Sequence, residues 1–274
     1  MNYFLFGIDL EDFRRELINH DIDDIFLYKA VYKYLDLLDR YKWKATFFTV
    51  GKDAIKYREL IQEIILRGHE IGCHSFSHET SMFESKNIFT DDLRKNIDAL
   101  SNAGVGRLYG YRSPQLSFTK ENTWVYKILE DNGFIYSSSV LPASSPLYGW
   151  EEFGSSIKRF NGIHEIPVSV AKIPLVKEVP YAGGIYFRIL PKFLIKRLFN
   201  KSFKNGDPVV GYFHPQDISS NLGKLKYRNF NLIYNQLLQI NIVNNLDKLN
   251  DIFNLNLTVV KYKEYVLNHL EKND

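Results

Sequence analysis

The sequence predicts an α/β fold in which parallel strands form a sheet or barrel covered by helices. Short apolar runs of strand length alternate with longer amphipathic stretches along most of the chain, which is the pattern of repeated strand–helix units. The pattern repeats about seven times or more, and this number favours a barrel over an open sheet. Because no linker, internal repeat or low-complexity segment interrupts it, residues 1–274 are predicted to form a single domain.

The first half of the chain predicts four strands and four helices in alternation. Helical periodicity is clearest where Leu27, Val31, Leu35 and Leu38 fall on one face of a single stretch, and glycines follow the later helices, as they often do at helix ends. The predicted strands are Tyr3–Ile8, Ala45–Val50, Glu70–Cys73 and Arg107–Arg112, and the predicted helices are Ile25–Tyr41, Ala54–Leu66, Thr90–Ala103 and Lys120–Asn132.

The second half predicts five further strands and two helices. Pro191 suits the first turn of a helix, because its missing N–H is not needed there. The Ser- and Gly-rich segment Pro142–Gly162 is predicted to be a long surface loop over the site. The predicted strands are Phe134–Ser137, Glu165–Val170, Gly184–Ile189, Pro208–Phe213 and Leu257–Val260, and the predicted helices are Lys192–Asn200 and Asn231–Phe253.

Composition and charge exclude several classes of protein. The net charge is only +3 and is spread along the chain, which argues against a nucleic-acid partner. No stretch reaches the ~18 continuous apolar residues of a spanning helix, and the apolar start lacks the basic residues of a signal peptide. The single cysteine, Cys73, excludes an internal disulfide and fits a reducing compartment. We therefore expect a soluble cytoplasmic protein. A peripheral contact with a membrane-bound substrate and the oligomeric state stay open.

Acidic residues come directly after the first predicted strand. Active-site residues of α/β barrels lie where strands end and loops begin. Side chains alternate along a strand, so Asp9 and Glu11 share a face, whereas Asp12 can turn back as the strand ends. One acid could therefore bind a metal ion while another takes a proton. The alternative is a solvated acidic loop, but the apolar run that precedes these acids argues against it.

Two histidines, His74 and His78, follow the third predicted strand. Histidines four residues apart lie on one face of a helical turn, where both imidazoles can reach one ion. Two histidines and one carboxylate leave open positions on a divalent metal for water and substrate. A single His-x-x-x-His pair is a weak signal that often arises by chance, but the acids after the first strand strengthen the prediction of a metal site.

Arg112 and His214 also stand at predicted strand ends. An arginine there can hold a carboxylate bidentately and keep it ionised, and the alternative is a surface arginine at a turn. His214 follows an apolar run, and position alone favours a core histidine with satisfied hydrogen bonds. Cys73 alternates away from His74, so it is interpreted as a core thiol and not as a ligand.

Taken in order, these motifs resemble those of the polysaccharide deacetylases, the NodB-homology or family-four carbohydrate esterases. The likeness spans about residues 3 to 260, and its His-Ser-x-x-His set is the most specific part. The Asp-x-Glu-Asp form of the first motif resembles an intracellular branch concerned with glycan biosynthesis. The matching segments are Gly7–Asp12, Ala45–Gly51, Gly68–His78, Tyr111–Pro114, Tyr181–Pro191 and Phe213–Pro215.

The resemblance implies a distorted (β/α) barrel of about seven strands that holds one divalent ion, commonly zinc. The ion would be bound by His74, His78 and one N-terminal acid. Glu11 and Asp12 both stay open as that acid, with Glu11 favoured because it shares a face with Asp9. Matching the motif places Asp9 in the position of the catalytic base.

The same resemblance assigns roles around the ion. Arg112 would orient the base, and His214 would be the general acid. The backbone N–H of Gln115 would stabilise the oxyanion, and Tyr111 is predicted beside it at the substrate. Two departures stand out: Ser137 replaces an aspartate that often follows the fifth strand, which would weaken the arginine network if that aspartate supports it, and Gln115 replaces an aromatic residue.

The function implied is metal-dependent hydrolysis of an N-acetyl group on a sugar, giving acetate and an amino sugar. The substrate would be a polysaccharide or its nucleotide- or lipid-linked precursor, and the sequence does not identify the sugar. Two alternatives stay open. One is an amidase that acts on a small non-sugar compound, and the other is a glycan-binding homologue without catalytic activity.

Overall fold

A computed structural model describes residues 1–18, 22–23, 25–145, 148–173, 178–219, 226–228, 235–236, 239–240 and 245–272. The predicted helix Asn231–Phe253 is described at residues 235–236, 239–240 and 245–253, and this part contains the helix Leu246–Phe253. The predicted loop Pro142–Gly162 is described except for residues 146–147, and it is not a loop throughout, because it contains a 3₁₀ turn, Glu151–Phe153, and a strand, Lys158–Phe160.

Twelve short strands are found in the part of the chain that is described. Seven of them form one sheet in the order β2-β3-β4-β5-β6-β8-β7, parallel except for the β7–β8 hairpin, and β11-β1-β12 form a second, parallel sheet. The strands are β1 (Tyr3–Leu5), β2 (Gly7–Leu10), β3 (Thr46–Thr49), β4 (Glu70–Cys73), β5 (Gly110–Tyr111), β6 (Tyr136–Ser137), β7 (Lys158–Phe160), β8 (Ile163–Glu165), β9 (Val170–Lys172), β10 (Glu178–Pro180), β11 (Val209–Val210) and β12 (Thr258–Val260).

Backbone hydrogen bonds join β2 and the segment after β8 to the residues around β11. The Asp9 N–H donates to the Phe213 carbonyl at 2.7 Å, and the Ser169 N–H, which follows β8, donates to the Val210 carbonyl at 3.1 Å. These bonds complete a ring without a continuous ladder among the described strands. The mostly parallel α/β architecture that the sequence predicts is confirmed.

The helices alternate with the strands of the ring. In α1 the predicted face, with Leu27, Val31, Leu35 and Leu38, is fully buried, as expected for an amphipathic helix on a sheet. No helix among the described residues has the length and apolar character needed to cross a bilayer. The helices are α1 (Phe26–Arg40), α2 (Gly51–Lys56), α3 (Arg58–Leu66), α4 (Lys86–Asn102), α5 (Val125–Asp131), α6 (Gly184–Ile189), α7 (Lys192–Lys204), α8 (Leu246–Phe253) and α9 (Tyr262–Tyr265), followed by a π-helical turn, Val266–Leu270.

The core has two parts because alternate side chains of each strand point to opposite sides of the ring. The larger cluster lies between the strands and the helices. The smaller cluster contains residues from several strands around the ring, so it lies inside the ring. Tyr262 of α9 belongs to this cluster. Its buried members are Leu5, Phe48, Tyr136, Ile166, Val210, Tyr262 and Val266.

One predicted strand is wrong in type. Gly184–Ile189 was predicted as a strand and is the helix α6. The chain leaves its extended course at Gly183, where φ is 154° and a Cβ atom would lie 1.9 Å from the Tyr212 carbonyl oxygen. Glycine is required at this close approach, and the helix begins directly after it.

Candidate metal centre and its surroundings

The carboxyl ends of β2, β4 and β5 bring the predicted site residues to one end of the ring. The parallel register aligns Asp9 with Phe48, and it aligns Cys73 with Tyr111, so the residues that follow these strands lie at a similar height. This is the end of a parallel α/β barrel where side chains from different strands converge.

Glu11, His74 and His78 form a compact cluster at that end. Glu11 Oε2 lies 2.6 Å from His78 Nε2 and 3.8 Å from His74 Nε2, and one ligand atom from each residue lies within 4.8 Å of the other two. The side chains of Glu11 and His74 are buried, whereas that of His78 is slightly exposed. The structure therefore places these three predicted ligands together.

The two histidines meet through a tight loop and not through a helical turn as the spacing predicted. Ser75 and His78 both have positive φ, at 58° and 63°, and the His78 N–H donates to Ser75 Oγ at 2.8 Å. His74 Nδ1 lies 2.8 Å from the Arg112 carbonyl oxygen, so it carries the proton and leaves Nε2 as the free lone pair. The two imidazoles come together as predicted, but a loop brings them together and not the predicted helical turn.

The donor set fits a divalent cation. Glu11 Oε2 is buried, and the groups that approach it are the Nε2 atoms of His78 and His74. A buried carboxylate needs a positive partner, which can be a protonated imidazole or a cation bound between these side chains. One carboxylate and two imidazoles are the ligands of mononuclear metal sites that keep positions open for water and substrate.

Electrostatics in the cluster couple metal binding to proton release. Burial alone would raise the pKa of Glu11, but the facing His78, His74 and His214 lower it well below its usual range. Burial would lower the pKa of His78, but the carboxylates of Glu11 and Glu16 raise it to about 10. Without a cation the cluster therefore holds a proton on His78 at neutral pH.

Zinc binding at pH 7 is expected to release about one proton, because a ligand imidazole must be neutral. Since His78 is protonated below pH 10, the apparent affinity should increase about tenfold for each pH unit as the pH rises towards that value. Calorimetric titration of the metal-free protein in two buffers of different ionisation enthalpy measures the number of protons. Identical heats in both buffers would contradict the expected release.

Asp12, the second candidate ligand, does not join the cluster. Its Oδ2 lies 2.6 Å from Arg14 Nη2 and accepts from the Tyr57 hydroxyl at 2.7 Å. Burial raises the pKa of this carboxyl, but Arg14 and Tyr57 more than offset it and bring the pKa to about 2. The physical reason is that the strand ends at Leu10 and Asp12 caps the 3₁₀ turn that follows. The prediction of Asp12 as a ligand is wrong.

Matched alanine variants at Glu11 and Asp12 should separate the two roles. Glu11→Ala is expected to lose the cation with little loss of stability. Asp12→Ala should keep it but lower the free energy of unfolding by about 3 kcal/mol, because Arg14 loses the carboxylate of a buried ion pair. Metal content per chain and urea unfolding check this. Loss of metal in Asp12→Ala alone would reverse the assignment.

Asp9 lies beside the cluster and is held by Arg112. Arg112 Nη1 donates to Asp9 Oδ1 at 2.8 Å, and both side chains are buried. The other oxygen, Oδ2, lies 3.7 Å from His214 Nε2. Asp9 is thus fixed through one oxygen while the second faces the space between the cluster and His214.

Arg112 is fully buried inside the ring, and each part of its guanidinium group has a partner. Besides Asp9, it donates to the Ser138 carbonyl and hydroxyl at 2.9 and 2.8 Å and to the Tyr262 hydroxyl at 2.8 Å. The group lies 4.1 Å from the Phe48 ring centre, a favourable cation–π contact. Gly7 permits this position, because a Cβ atom there would lie 2.7 Å from Arg112 Nη1.

His214 completes the site from the strand end after β11. Its Nδ1 lies 3.4 Å from Asp217 Oδ2, and Asp217 in turn lies 3.3 Å from Arg188 Nε of α6. Burial lowers the pKa of His214, but Asp217, Glu11 and Asp9 raise it to about 9. The imidazole is therefore protonated at neutral pH and can donate a proton from Nε2.

Three other predictions have different outcomes. Tyr111 does not face the site: it is fully buried, 3.7 Å from Met82 Sδ, and stacks on Phe118, because it alternates with Arg112 along the strand. Gln115 is exposed on a left-handed turn with φ of 56° just after the arginine strand, and its oxyanion role stays a prediction. The thiol of Cys73 lies in the core as predicted.

Ser137, where the resemblance led us to expect an aspartate, does not weaken the contacts of Arg112. Its hydroxyl lies 2.7 Å from Ser139 Oγ, while Ser138 supplies the bonds to the arginine. The sequence reasoning also missed Asp217 and Tyr262. The i+3 spacing of Asp217 from His214 was a usable signal, but Tyr262 reaches Arg112 from 150 residues away and had none.

Comparisons with known proteins find two matching family models and several relatives. A family model described as polysaccharide deacetylase matches residues 17–134, and a domain of unknown function, DUF3473, matches residues 138–257. A peptidoglycan deacetylase of Helicobacter pylori is 23% identical over 209 residues, and a peptidoglycan-N-acetylglucosamine deacetylase of Bacillus cereus is 33% identical over 79 residues. These alignments cover 74% and 29% of this chain, and 65% and 27% of those proteins.

Solved structures share the fold at low sequence identity. A polysaccharide deacetylase-type protein of Mycobacterium smegmatis superposes with a TM-score of 0.61 at 20% identity, covering 99% of this chain and 90% of that one. The catalytic domain of a peptidoglycan N-acetylglucosamine deacetylase of Eubacterium rectale gives 0.51 at 14% identity, covering 95% and 87%. Residues 17–134 of the chain therefore match the polysaccharide deacetylase family, and the fold shared with these structures extends over nearly the whole chain.

Proposed function

We propose that the protein hydrolyses the N-acetyl group of a sugar with the aid of one divalent cation. The observation that carries the proposal is the convergence of Glu11, His74 and His78 on one point, with Asp9 and His214 at its side. A site of this kind supplies a ligand set, a base and an acid within a few ångströms. A cation held by the three ligands would polarise the acetyl carbonyl and lower the pKa of a water molecule.

Asp9 is the general base of the proposed reaction. Its Oδ1 accepts from Arg112, so the carboxylate is fixed in orientation, and Oδ2 remains to take a proton from the attacking water. The oxygen of that water attacks the acetyl carbon and forms a tetrahedral oxyanion. The backbone N–H of Gln115 is proposed to donate to this oxyanion, an interaction that is worth ~3 kcal/mol in other enzymes.

His214 is the general acid that completes the reaction. An amide nitrogen leaves readily only if it is protonated as the C–N bond breaks. Asp217 holds the imidazole through Nδ1 and keeps it cationic at neutral pH, so Nε2 can give its proton to the nitrogen. The products are acetate and an amino sugar.

The substrate is proposed to be an N-acetylated sugar, free or within a glycan or its precursor. Support comes from relatives named peptidoglycan deacetylases, of which this chain covers only part. Acetate release from chitin oligosaccharides, peptidoglycan fragments, N-acetylated sugar nucleotides and lipid-linked N-acetyl sugars tests it, with the zinc-loaded protein and with protein treated with a chelator.

The controls separate the two alternatives. The fold is also that of the Puue allantoinase, with a TM-score of 0.61 at 11% identity, so allantoin and simple amides are included as substrates. A family-four pseudoenzyme of Bacillus anthracis shares the fold with a TM-score of 0.53, so the fold alone does not establish activity. Hydrolysis of small amides without sugar turnover, or zinc binding with no turnover at all, would each refute the proposal.

A further inference from the structure

Glu165 is a buried carboxylate that the proposed reaction does not use. It ends β8, directly opposite Ser137 of β6 in the parallel register, and is fully inaccessible to solvent. Its Oε1 accepts from the backbone N–H groups of Ser139 and Val140 at 2.7 and 3.0 Å, and its Oε2 accepts from the Tyr126 hydroxyl at 3.2 Å. Three hydrogen bonds fix the position of the Glu165 side chain, and the same bonds fix the positions of the groups that donate them.

The segment that Glu165 holds is the one that holds Arg112. Ser138 gives Arg112 two acceptors, its carbonyl oxygen at 2.9 Å from Nε and its hydroxyl at 2.8 Å from Nη2. Ser139 Oγ accepts from the Ser113 N–H at 2.9 Å, next to Arg112 in the chain. Ser139 and the next residue, Val140, donate their N–H groups to Glu165 Oε1, and Ser138 directly precedes them in the chain.

We propose that Glu165 is a positioning residue that sets the orientation of Arg112, and through Arg112 that of Asp9. Without the carboxylate, two buried N–H groups lose their acceptor, and the segment must shift to find another. The acceptors on Ser138 would move with it, and the guanidinium group would follow. A displacement of about 1 Å at a reacting group can cost ~10²-fold in rate. The inference rests on the proposed function, because it concerns the orientation of the proposed base.

Ser137 offers a direct test. It lies opposite Glu165 on the neighbouring strand, so a carboxylate removed from position 165 can be introduced at position 137 instead. Ser137 Oγ is buried and lies 2.7 Å from Ser139 Oγ, on the side that Glu165 occupies. An aspartate at this position can accept from the N–H two residues on, as in an Asx-turn. The double variant Ser137→Asp/Glu165→Ala therefore restores an acceptor for the Ser139 N–H from the other strand.

The experiment compares kcat, KM and zinc content of five proteins. Wild type, Glu165→Ala, Glu165→Gln and Ser137→Asp/Glu165→Ala are assayed on the N-acetylated sugar that the wild type turns over. Glu70→Ala serves as the matched control, since this buried glutamate lies at the opposite end of the strands and bonds to neither Arg112 nor residues 138–139.

We expect Glu165→Ala to lower kcat about 100-fold at unchanged KM and zinc content. Glu165→Gln should keep most of the activity, because its amide oxygen can accept the same two N–H bonds. The double variant should recover kcat to within about tenfold of wild type, and Glu70→Ala should lower stability without this loss of kcat. If Glu165→Ala does not fold, Glu165→Asp replaces it in the experiment. Its carboxylate is withdrawn by one methylene, so a lower kcat at unchanged KM and zinc content is expected for this variant as well.

Two results would overturn the inference. One is a wild-type kcat in folded Glu165→Ala. The other is a loss of kcat in Glu165→Ala that the double variant does not restore and that Glu70→Ala shows as well. That pattern would indicate general destabilisation and not a positioning role. If the wild type deacetylates no sugar, the proposed function fails, and amide hydrogen exchange then decides the positioning role alone. Exchange at Ser113, Ser139 and Val140 should be faster in Glu165→Ala, and exchange at Ser113 and Ser139 should be slowed again in the double variant; no change in Glu165→Ala would refute it.

Discussion

Replacing His74 or His78 with alanine is expected to remove both the bound cation and acetate release. Each imidazole is one of three proposed protein ligands around a single point, and two ligands are not expected to hold a cation that keeps open positions for water and substrate. Loss of an outer partner of a ligand already costs 10–100-fold in metal affinity, so we expect a loss of at least about 100-fold here. Metal analysis after dialysis and acetate assays on the same samples measure both effects.

His69 provides the matched control within the same stretch of sequence. Its Nδ1 accepts from the Ala45 N–H at 3.1 Å, and burial lowers its pKa to about 4. His69→Gln should therefore keep the cation and cost about 1–3 kcal/mol of stability, the penalty of a disturbed buried hydrogen bond. Full zinc content in His74→Ala, or loss of zinc in His69→Gln, would show that the ion lies elsewhere.

The convergence of the site was predictable because strand ends are visible in the sequence. Each of Asp9, His74 and Arg112 follows an apolar run bounded by turn residues, and parallel strands bring such ends together. The preference for Glu11 as the candidate ligand followed from its expected alternation with Asp9 along the strand. These inferences use only local pattern and one rule of topology.

Contacts between distant parts of the chain were not predictable in the same way. Tyr262 and Glu165 reach the neighbourhood of Arg112 from 150 and 53 positions along the chain, and no local pattern marks them. Asp12 and Tyr111 were misjudged for a related reason. The Asp12 side chain points away from the site because the chain turns after Leu10. The Tyr111 side chain points away because it alternates with Arg112. Both orientations depend on the exact residue at which a strand ends.

The helix α6 shows how packing overrides local preference. Its six residues include Ile, Tyr and Phe, which favour strands, and so short a run does not show its periodicity. In the structure Lys248 Nζ donates to the carbonyls of Phe187, Arg188 and Leu190 at the end of the helix. Those carbonyls would otherwise lack partners, so a lysine about sixty residues later stabilises the helical form.

Asp9→Asn is expected to keep the cation and lose most turnover, about 10²–10⁴-fold, which is the usual contribution of a general base. Asparagine keeps the shape of the side chain, and its oxygen can still accept from Arg112 Nη1. Its NH₂ group cannot take a proton from water. Because the proposed ligands are Glu11 and the two histidines, zinc content should not change, and kcat with zinc content measured together tests the assignment.

The substitution also leaves the buried charge of Arg112 without its ionic partner, so a loss of stability of about 3 kcal/mol is expected as well. Thermal unfolding of the same sample shows whether the variant is folded at the assay temperature, which separates a missing base from a missing fold. A folded, zinc-loaded Asp9→Asn that releases acetate at the wild-type rate would mean that another group takes the proton. Glu11 would then be the next candidate for the base, and Asp9 would have to be considered as the metal ligand.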